Sequence, residues 1–279
     1  MQSKITPRGQ YAAEFNAFLR LLGIQTKKVS LLALAEIIRA HLYRIPFENI
    51  SKLYYFKRDQ LDTIPSLEQY LSRIEKYGFG GTCYTNNYYL GCLLKWLGFK
   101  ADFCAADMNR PDCHMVITVS INGVDYLVDT GYAAPFLKPV PLNLKSDYIL
   151  QSGRDKYIFK PRDQAGRTQL HMYRNGKLRH GYLVKPRPQY LCNFAPAIRD
   201  SFRETATFTK SLLVTKYLTT GFAMLHNHTF TVSQGIRYQQ KHIKNNDELV
   251  RIIDTRFQIR GKMAEAIIET MDMTGDAWN

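Results

Sequence analysis

The sequence predicts an α+β protein, because two kinds of hydrophobic spacing follow one another along its 279 residues. Over roughly the first 80 residues, apolar side chains recur at the spacing of amphipathic helices. From about residue 101 to residue 190 the pattern changes to short alternating segments separated by turn signals, which predicts an antiparallel sheet or barrel. The last third is of mixed character and contains two predicted helices, at 246–257 and 262–271.

The predicted helices of the first part have boundaries typical of helices, with a glycine, a serine or a proline at one end or both. They span 11–23, 30–45, 66–78 and 83–98.

Composition and charge indicate a globular protein. Hydrophobic residues make up 45% of the chain and aromatic residues 13%, which supports a large buried core. The formal net charge is +14, but the basic residues are scattered and form no zinc-finger, RNP or leucine-zipper pattern. We therefore expect no nucleic-acid partner, although a basic surface also attracts small anions such as the phosphates of a nucleotide-like cofactor.

No stretch of about 18 apolar residues is present, so no membrane association is expected. The opening segment 1–10 lacks the apolar core of a secretory signal, and the predicted location is cytoplasmic. An odd number of cysteines without paired spacing predicts free thiols in a reducing compartment and no metal site. They are Cys83, Cys92, Cys104, Cys113 and Cys192.

Cys83 stands in the segment GFGGTCYTNN at 78–87, directly before a predicted helix. The preceding glycines, Gly80 and Gly81, allow the backbone to bend sharply and a ligand to approach closely. A helix N-terminus stabilises a thiolate, and so does a neighbouring imidazolium. Cys83 is therefore a candidate nucleophile.

A hairpin supplies the candidate partners. Asn122-Gly123 lies between two alternating runs, which is the strongest short hairpin signal. A two-residue turn pairs Ile121 with Val124 and leaves one face of the hairpin almost wholly apolar. His114 and Asp129 fall together on the other face, about 7 Å apart or less at Cβ, so the sequence predicts a His–Asp hydrogen bond.

Cys83, His114 and Asp129 would form a nucleophile, a base and an orienting acid. The sequence alone does not bring the helix to the hairpin, and the alternative is that Cys83 packs in a core while His114 and Asp129 serve a sheet edge. Aromatic residues flank these three, and they predict either a pocket for a flat aryl group or ordinary core. The candidates for substrate binding are Phe79, Tyr84, Tyr132 and Phe136.

Four features occur in order along the first half of the chain: RIPFENI at 44–50, GGTCYTNN at 80–87, His114, and YLVDTGYAAPFLKPVPL at 126–142. His114 and Asp129 are fifteen residues apart. In these features the chain resembles the arylamine N-acetyltransferase family, closely over roughly residues 40 to 142 and loosely elsewhere.

The resemblance implies a fold and a reaction. The fold is an N-terminal helical bundle (1–84), a central antiparallel β-barrel (85–190) and a C-terminal α/β lid (191–279), with a cysteine-protease-like Cys-His-Asp core. The reaction is a ping-pong transfer of an acetyl group from acetyl-CoA, as co-substrate and without a metal, through Cys83. The acceptor is a small aromatic amine: an arylamine, arylhydrazine or N-hydroxyarylamine. The oligomeric state is not implied.

The chain departs from the family pattern near the nucleophile and in the donor region. Phe79 stands where members usually carry arginine, Thr85 where they carry an acidic residue, and Ala133 where they carry glycine. In the region that the family uses for the coenzyme A thioester, Thr207 and Phe208 are the matching candidates, but the serine-rich stretch is absent. A different acyl donor, as in amide synthases, and a thiol hydrolase therefore remain alternatives, and a non-enzymatic nucleic-acid-binding protein is a third.

Four smaller predictions concern single elements. The PFEN element is expected to hold the helical part to the active-site region, and His41 to be a packed helix residue. Cys113 is expected to point to the opposite face of the hairpin. His226 and His228 are predicted to lie on one strand, with no third ligand for a metal evident.

Overall fold

Helices dominate the first hundred residues. The computed structural model of the chain describes residues 11–25, 28–235 and 237–277, so the opening segment interpreted above lies outside the described residues. The helices of this part are α1 (Ala12–Leu22), α2 (Leu31–Arg44), α3 (Ile50–Asp59), α4 (Leu67–Tyr77) and α5 (Cys83–Trp96).

The ends of these helices follow the predicted signals. Gly23 and Gly78 close α1 and α4 in the left-handed conformation, where glycine carries no steric cost. Ser66 forms a capping box with Gln69 at the start of α4. Helix α3 was not predicted, because its first turn buries a serine and a lysine and so lacks a clean apolar period.

A large antiparallel sheet follows, as predicted. Its eight strands have the order β5-β4-β3-β2-β9-β8-β7-β6. They are β2 (Lys100–Asp107), β3 (His114–Ile121), β4 (Val124–Val128), β5 (Val140–Pro141), β6 (Tyr148–Ser152), β7 (Asp155–Phe159), β8 (Thr168–Arg174) and β9 (Lys177–Gln189).

The β3–β4 hairpin has the predicted register, with Ile121 opposite Val124 and Ile117 opposite Val128. Its apolar face is buried in the same core as α5. Alternation therefore fixed which side of the hairpin meets the helix.

A second antiparallel sheet lies in the last third, with the order β1-β10-β11-β12-β13. Its first strand, β1 (Phe47–Glu48), comes from the helical part and pairs with β10. The other strands are β10 (Leu213–Leu218), β11 (Gly221–His226), β12 (Thr229–Gln234) and β13 (Arg237–His242). The helices of this part are α6 (Leu191–Asp200), α7 (Thr207–Lys210), α8 (Asn246–Ile252) and α9 (Gly261–Ile268). A π-helical segment at Ile253–Phe257 extends α8.

The PFEN element joins the helical part to this second sheet. The Asn49 amide donates to the carbonyl oxygens of Phe208 and Ser211 at 2.9 and 2.8 Å, and its oxygen accepts from the Leu213 amide at 2.9 Å. The element therefore has a structural role, and the contacts of Asn49 reach the second sheet and the segment before it.

The predicted α+β class, with helices, a barrel-like antiparallel sheet and a C-terminal α/β part, is confirmed. The domain boundaries stay a prediction, and the one at residues 84 and 85 falls inside α5. In the described part of the chain, no helix is long and apolar enough to cross a bilayer.

Candidate active site

Cys83 is the first residue of α5, and Thr82 before it provides no side-chain cap. The glycine pair in front of it is needed for close packing. A Cβ on Gly80 would lie 1.9 Å from the Pro46 carbonyl oxygen, and a Cβ on Gly81 would lie 2.7 Å from the Thr85 side chain. The space in front of these two glycines is therefore filled by the protein itself.

The turn before Cys83 is held by a buried carboxylate. The Glu48 carboxylate accepts hydrogen bonds from the Gly80 and Ser51 amides, both at 2.8 Å. Burial raises the pKa of Glu48, and these hydrogen bonds counter it only in part. Phe79 turns away from the carboxylate into an aromatic cluster with Tyr54 and its neighbours.

His114 and Asp129 form the predicted hydrogen bond, with 2.8 Å between Nε2 and Oδ2. Both side chains are buried. His114 begins β3, and Asp129 directly follows β4. Because Nε2 is bonded to the carboxylate, Nδ1 is the ring nitrogen available to the Cys83 thiol, with which His114 also interacts.

Asn87 connects the helix to the hairpin. It lies one turn after Cys83, and its amide donates to Asp129 Oδ1 at 2.8 Å and to the Met115 carbonyl at 2.6 Å. Its oxygen accepts from the Thr130 amide at 2.8 Å. One buried side chain thus sets both the position of Asp129 and the distance from α5 to β3.

Gly131 allows the same close approach from the other side. A Cβ at this position would lie 2.5 Å from the Cys83 Cα. Its amide donates to Asp129 Oδ1 at 2.9 Å. The carboxylate therefore accepts hydrogen bonds on both oxygens, which favours its ionised form.

Electrostatics make the pair an imidazolium and a carboxylate. Burial lowers the pKa of His114, but the charge and hydrogen bond of Asp129, with a smaller effect of Cys83, raise it to about 10. Burial raises the pKa of Asp129, and His114, Asn87 and Gly131 outweigh that effect, so the net direction is down. Such an imidazolium stabilises a thiolate at neutral pH.

Cys83 and His114 line one cavity of about 850 Å³, including its open mouth. Tyr84, Tyr132 and the pair Thr207 and Phe208 line the same cavity, and their roles in binding stay predictions. The remaining wall residues come from all three parts of the chain. They are Phe47, Lys52, Thr82, Met108, Asn109, Arg110, Cys113, Gly131, Ala133, His180, Ser201, Ala206, Leu213 and Ala277.

Two predicted substrate-binding residues do not reach this cavity. Phe79 is 1% exposed and belongs to the core beneath the second sheet. Phe136 is 2% exposed and stacks behind Tyr132, with ring centroids 5.9 Å apart. Both phenylalanines lie near Cys83 or Asp129 in the sequence, but they pack in the core. The structure therefore corrects their assignment to substrate binding.

Several cavity residues were missed or misplaced by sequence reasoning. Lys52, Arg110 and His180 carry no motif that would have singled them out. The orientation predicted for Cys113 was wrong, since β3 begins at His114 and strand alternation does not apply to the residue before it. The only signal for Lys52 was a lysine in the first turn after the PFEN element.

The predicted strand holding both His226 and His228 was also wrong. His226 ends β11, and His228 lies in the turn before β12. Across residues 11–25, 28–235 and 237–277, no cluster of histidine, cysteine and acidic side chains could hold a metal ion.

Comparison with known families agrees with this geometry. A family model described as N-acetyltransferase matches residues 30–266, well over half of the chain. The chain belongs to this family. It is an acetyltransferase, and the enzyme class predicted from the sequence is confirmed.

Curated relatives make the family more specific. The pineal gland isozyme NAT-10 of arylamine N-acetyltransferase from Gallus gallus is 25% identical over 251 residues, covering 79% of this chain and 80% of that protein. The arylamine N-acetyltransferase of Mycolicibacterium smegmatis is 29% identical over 158 residues, covering 52% and 56%. The resemblance to arylamine N-acetyltransferases is confirmed.

A solved structure supports the fold. The arylamine N-acetyltransferase of Mycobacterium marinum in complex with CoA superposes with a TM-score of 0.77, covering 92% of this chain and 99% of that one. At 18% identity, this likeness concerns the fold.

Proposed function

We propose that this N-acetyltransferase transfers an acetyl group from acetyl-CoA, through a thioester at Cys83, to an arylamine, arylhydrazine or N-hydroxyarylamine. The observation that carries the proposal is the placement of Cys83 at the start of α5, beside a buried His114–Asp129 pair in an open cavity. The arylamine N-acetyltransferase relatives, one of them solved with CoA, support the donor and the acceptor class.

In the first half-reaction the Cys83 thiolate attacks the carbonyl carbon of acetyl-CoA. Helix α5 lacks a side-chain cap, so the backbone amides of Cys83 and Tyr84 are suited to stabilise the oxyanion. The C–S bond to coenzyme A then breaks, and the leaving thiolate takes the proton from His114. One thioester replaces another, so the step has little thermodynamic cost.

In the second half-reaction the amine nitrogen attacks the acetyl carbon on Cys83. Nδ1 of the now neutral His114 accepts the amine proton, and Asp129 stabilises the imidazolium that forms. The Cys83 thiolate leaves, which restores the starting pair and releases the N-acetylated product.

The cavity wall suggests where each substrate lies. Tyr132 presents an aromatic surface next to His114, with ring centroids 6.0 Å apart, and suits a flat aryl acceptor. Tyr84 follows Cys83 on α5. Thr207 and Phe208 come from the C-terminal part, and we assign the pantetheine arm of the donor to their side of the cavity. A cytoplasmic location and the absence of a nucleic-acid partner stay predictions.

Intact-protein mass spectrometry after brief incubation with acetyl-CoA tests the proposal. We expect one acetyl adduct on the wild type and on Cys113→Ala, which removes the other thiol of the cavity wall, and none on Cys83→Ala. Addition of 4-methoxyaniline should discharge the adduct and yield the acetylated amine. An adduct that persists in Cys83→Ala, or one that water discharges as fast as the amine does, contradicts the proposal.

A further inference from the structure

A buried lysine lies in the wall of the cavity. Lys52 is the third residue of α3 and is 7% exposed. Its ammonium donates to the carbonyl and hydroxyl oxygens of Ser201 at 2.5 and 2.8 Å and lies 4.5 Å from the centre of the Phe202 ring. Lys52 and Cys83 line the same cavity.

This position is costly for a cation. Burial removes water from the ammonium, and the positive end of the α3 dipole lies beside it. Within the part of the chain that the structure describes, no ion pair includes Lys52. Burial lowers the pKa of Lys52 to about 7; the nearby Cys83 raises it and Arg110 lowers it further.

Ser201 keeps the ammonium in place without neutralising it. It is the C-cap of α6, so the lysine lies at the negative end of that helix dipole. Ser201 is neutral, and the group whose negative charge favours the ammonium is Cys83, the proposed nucleophile.

Acylation of Cys83 removes the negative charge of its sulfur. Once Cys83 carries an acyl group, that negative charge is gone, and the described residues of the cavity wall include Arg110 but no carboxylate. An acyl group that ends in a carboxylate would restore the balance, since the sulfur that holds the acyl group and the lysine belong to one cavity.

We propose that Lys52 binds a carboxylate at the far end of the acyl group, so that this enzyme accepts CoA monothioesters of short dicarboxylic acids in addition to acetyl-CoA. The inference rests on the proposed role of Cys83 as nucleophile. The acyl chain is bonded to Cys83, and the ammonium that neighbours Cys83 determines which acyl groups are accepted.

The location of Lys52 near Cys83 favours a carboxylate on the acyl group over the other anions that could bind this lysine. The phosphates of coenzyme A are separated from the reacting sulfur by the whole pantetheine arm, so they do not reach a lysine beside Cys83. A carboxylate on the aromatic acceptor shares the same chemistry, and the experiment below separates it from an acyl carboxylate.

The chemistry is that of the acetyl transfer. The Cys83 thiolate forms a C–S bond to the acyl carbon, the C–S bond to coenzyme A breaks, and coenzyme A leaves with the proton from His114. The distal carboxylate takes no part in bond making and stays paired with the Lys52 ammonium. No oxidant, reductant or further reactant is needed.

Single-turnover acylation of Cys83 by malonyl-CoA and isovaleryl-CoA, followed by intact mass, tests the inference. The two acyl groups have the same number of non-hydrogen atoms and the same branching, but a charged carboxylate in one replaces an apolar isopropyl group in the other. We expect the wild type to prefer malonyl-CoA by about 10-fold or more, as is usual for a charge-assisted hydrogen bond. Lys52→Met should abolish or invert this ratio, and Lys52→Arg should retain part of it.

Lys216→Met is the matched control. Lys216 is also a buried lysine held by neutral oxygens, 2.5 Å from Gln258 Oε1, but it does not line the cavity. Its replacement should leave the malonyl preference unchanged. Because the test uses a ratio of two donors, any general effect of a variant on Cys83 reactivity or on folding cancels.

Each outcome decides one question. If acetyl-CoA gives no adduct on Cys83, the proposed function fails. If the acetyl adduct forms but the wild type does not prefer malonyl-CoA, or Lys52→Met keeps the preference, the inference is overturned. If Lys52→Met changes only the relative discharge of the acetyl-enzyme by 4-aminobenzoate and 4-isopropylaniline, the carboxylate belongs to the acceptor and the donor assignment is overturned.

Discussion

Replacing Asp129 with asparagine tests the charge pair at the centre of the site. The asparagine oxygen can still accept from Asn87 and Gly131, as Asp129 Oδ1 does. Its NH₂ group then faces His114 Nε2, where the carboxylate oxygen stood at 2.8 Å. Nε2 must accept that hydrogen bond, so the proton of the neutral ring moves to Nδ1, the nitrogen that faces Cys83.

The magnitude follows from the pKa of His114. The aspartate is the main cause that raises this pKa to about 10, whereas burial alone would hold it below the ordinary 6.5. A fall of at least about 3.5 units corresponds to about 5 kcal/mol less stabilisation of the imidazolium. Asp129→Asn therefore loses the cation that stabilises the thiolate at neutral pH.

Alkylation of Cys83 by iodoacetamide between pH 5 and pH 9 measures this loss. The background should carry Cys113→Ala and Cys192→Ala, because neither of these thiols is fully buried. At pH 6 an ordinary cysteine is only about 1 part in 300 thiolate. We expect alkylation of Asp129→Asn at pH 6 to be about two orders of magnitude slower than that of the parent, with the difference shrinking toward pH 9.

Far-ultraviolet circular dichroism and thermal unfolding establish that the variant remains folded. Superimposable pH profiles of parent and variant would refute the reasoning, because they would mean that the carboxylate does not control the thiol. A uniform slowing at all pH values would point to a displaced nucleophile instead.

Three further predictions concern stability and packing. Burial lowers the pKa of His41 to about 3, so its protonation favours the unfolded state and the fold loses stability as the pH falls from 6.5 toward 3; from pH 8 to pH 5 the loss is about 2 kcal/mol, and urea unfolding of His41→Leu should lack it. Gly131→Ala should destabilise the fold by about 1–3 kcal/mol and slow acetylation of Cys83 in the mass assay, because its Cβ would lie 2.5 Å from Cys83 Cα; unchanged acetylation would contradict this. Ala133 holds φ at +56°, so Ala133→Gly should raise the free energy of unfolding by about 1 kcal/mol, and a lower melting temperature would contradict this.

Local features of the site could be predicted from the sequence. The Asn-Gly turn fixed the hairpin register, and the register placed His114 and Asp129 on one face. Glycine and serine signals located the ends of α1 and α4, and the glycine pair located the start of α5 beside Cys83. All of these depend on residues within about fifteen positions of one another, where backbone geometry limits the possible arrangements.

The errors arose where contacts between distant segments decided the outcome. Phe79 and Phe136 flank the site in sequence, but both side chains are buried in hydrophobic cores. The error at Cys113 was local, because this residue precedes β3 and the alternation of a strand does not extend to it. Lys52 was overlooked because a single lysine in a helix carries no motif, and only the approach of Ser201 from α6 buries it.

By itself, the sequence determined the fold class, the family, and the pairing of His114 with Asp129, because periodicity, turn chemistry and short motifs act over short stretches of chain. Tertiary structure alone decided that α5 meets the hairpin, through Asn87 and the absence of a side chain at Gly131. It also decided which side chains line the cavity, since that wall is assembled from segments as distant as Phe47 and Ala277. The physical reason is that close packing selects among many long-range contacts that a linear pattern leaves equally open.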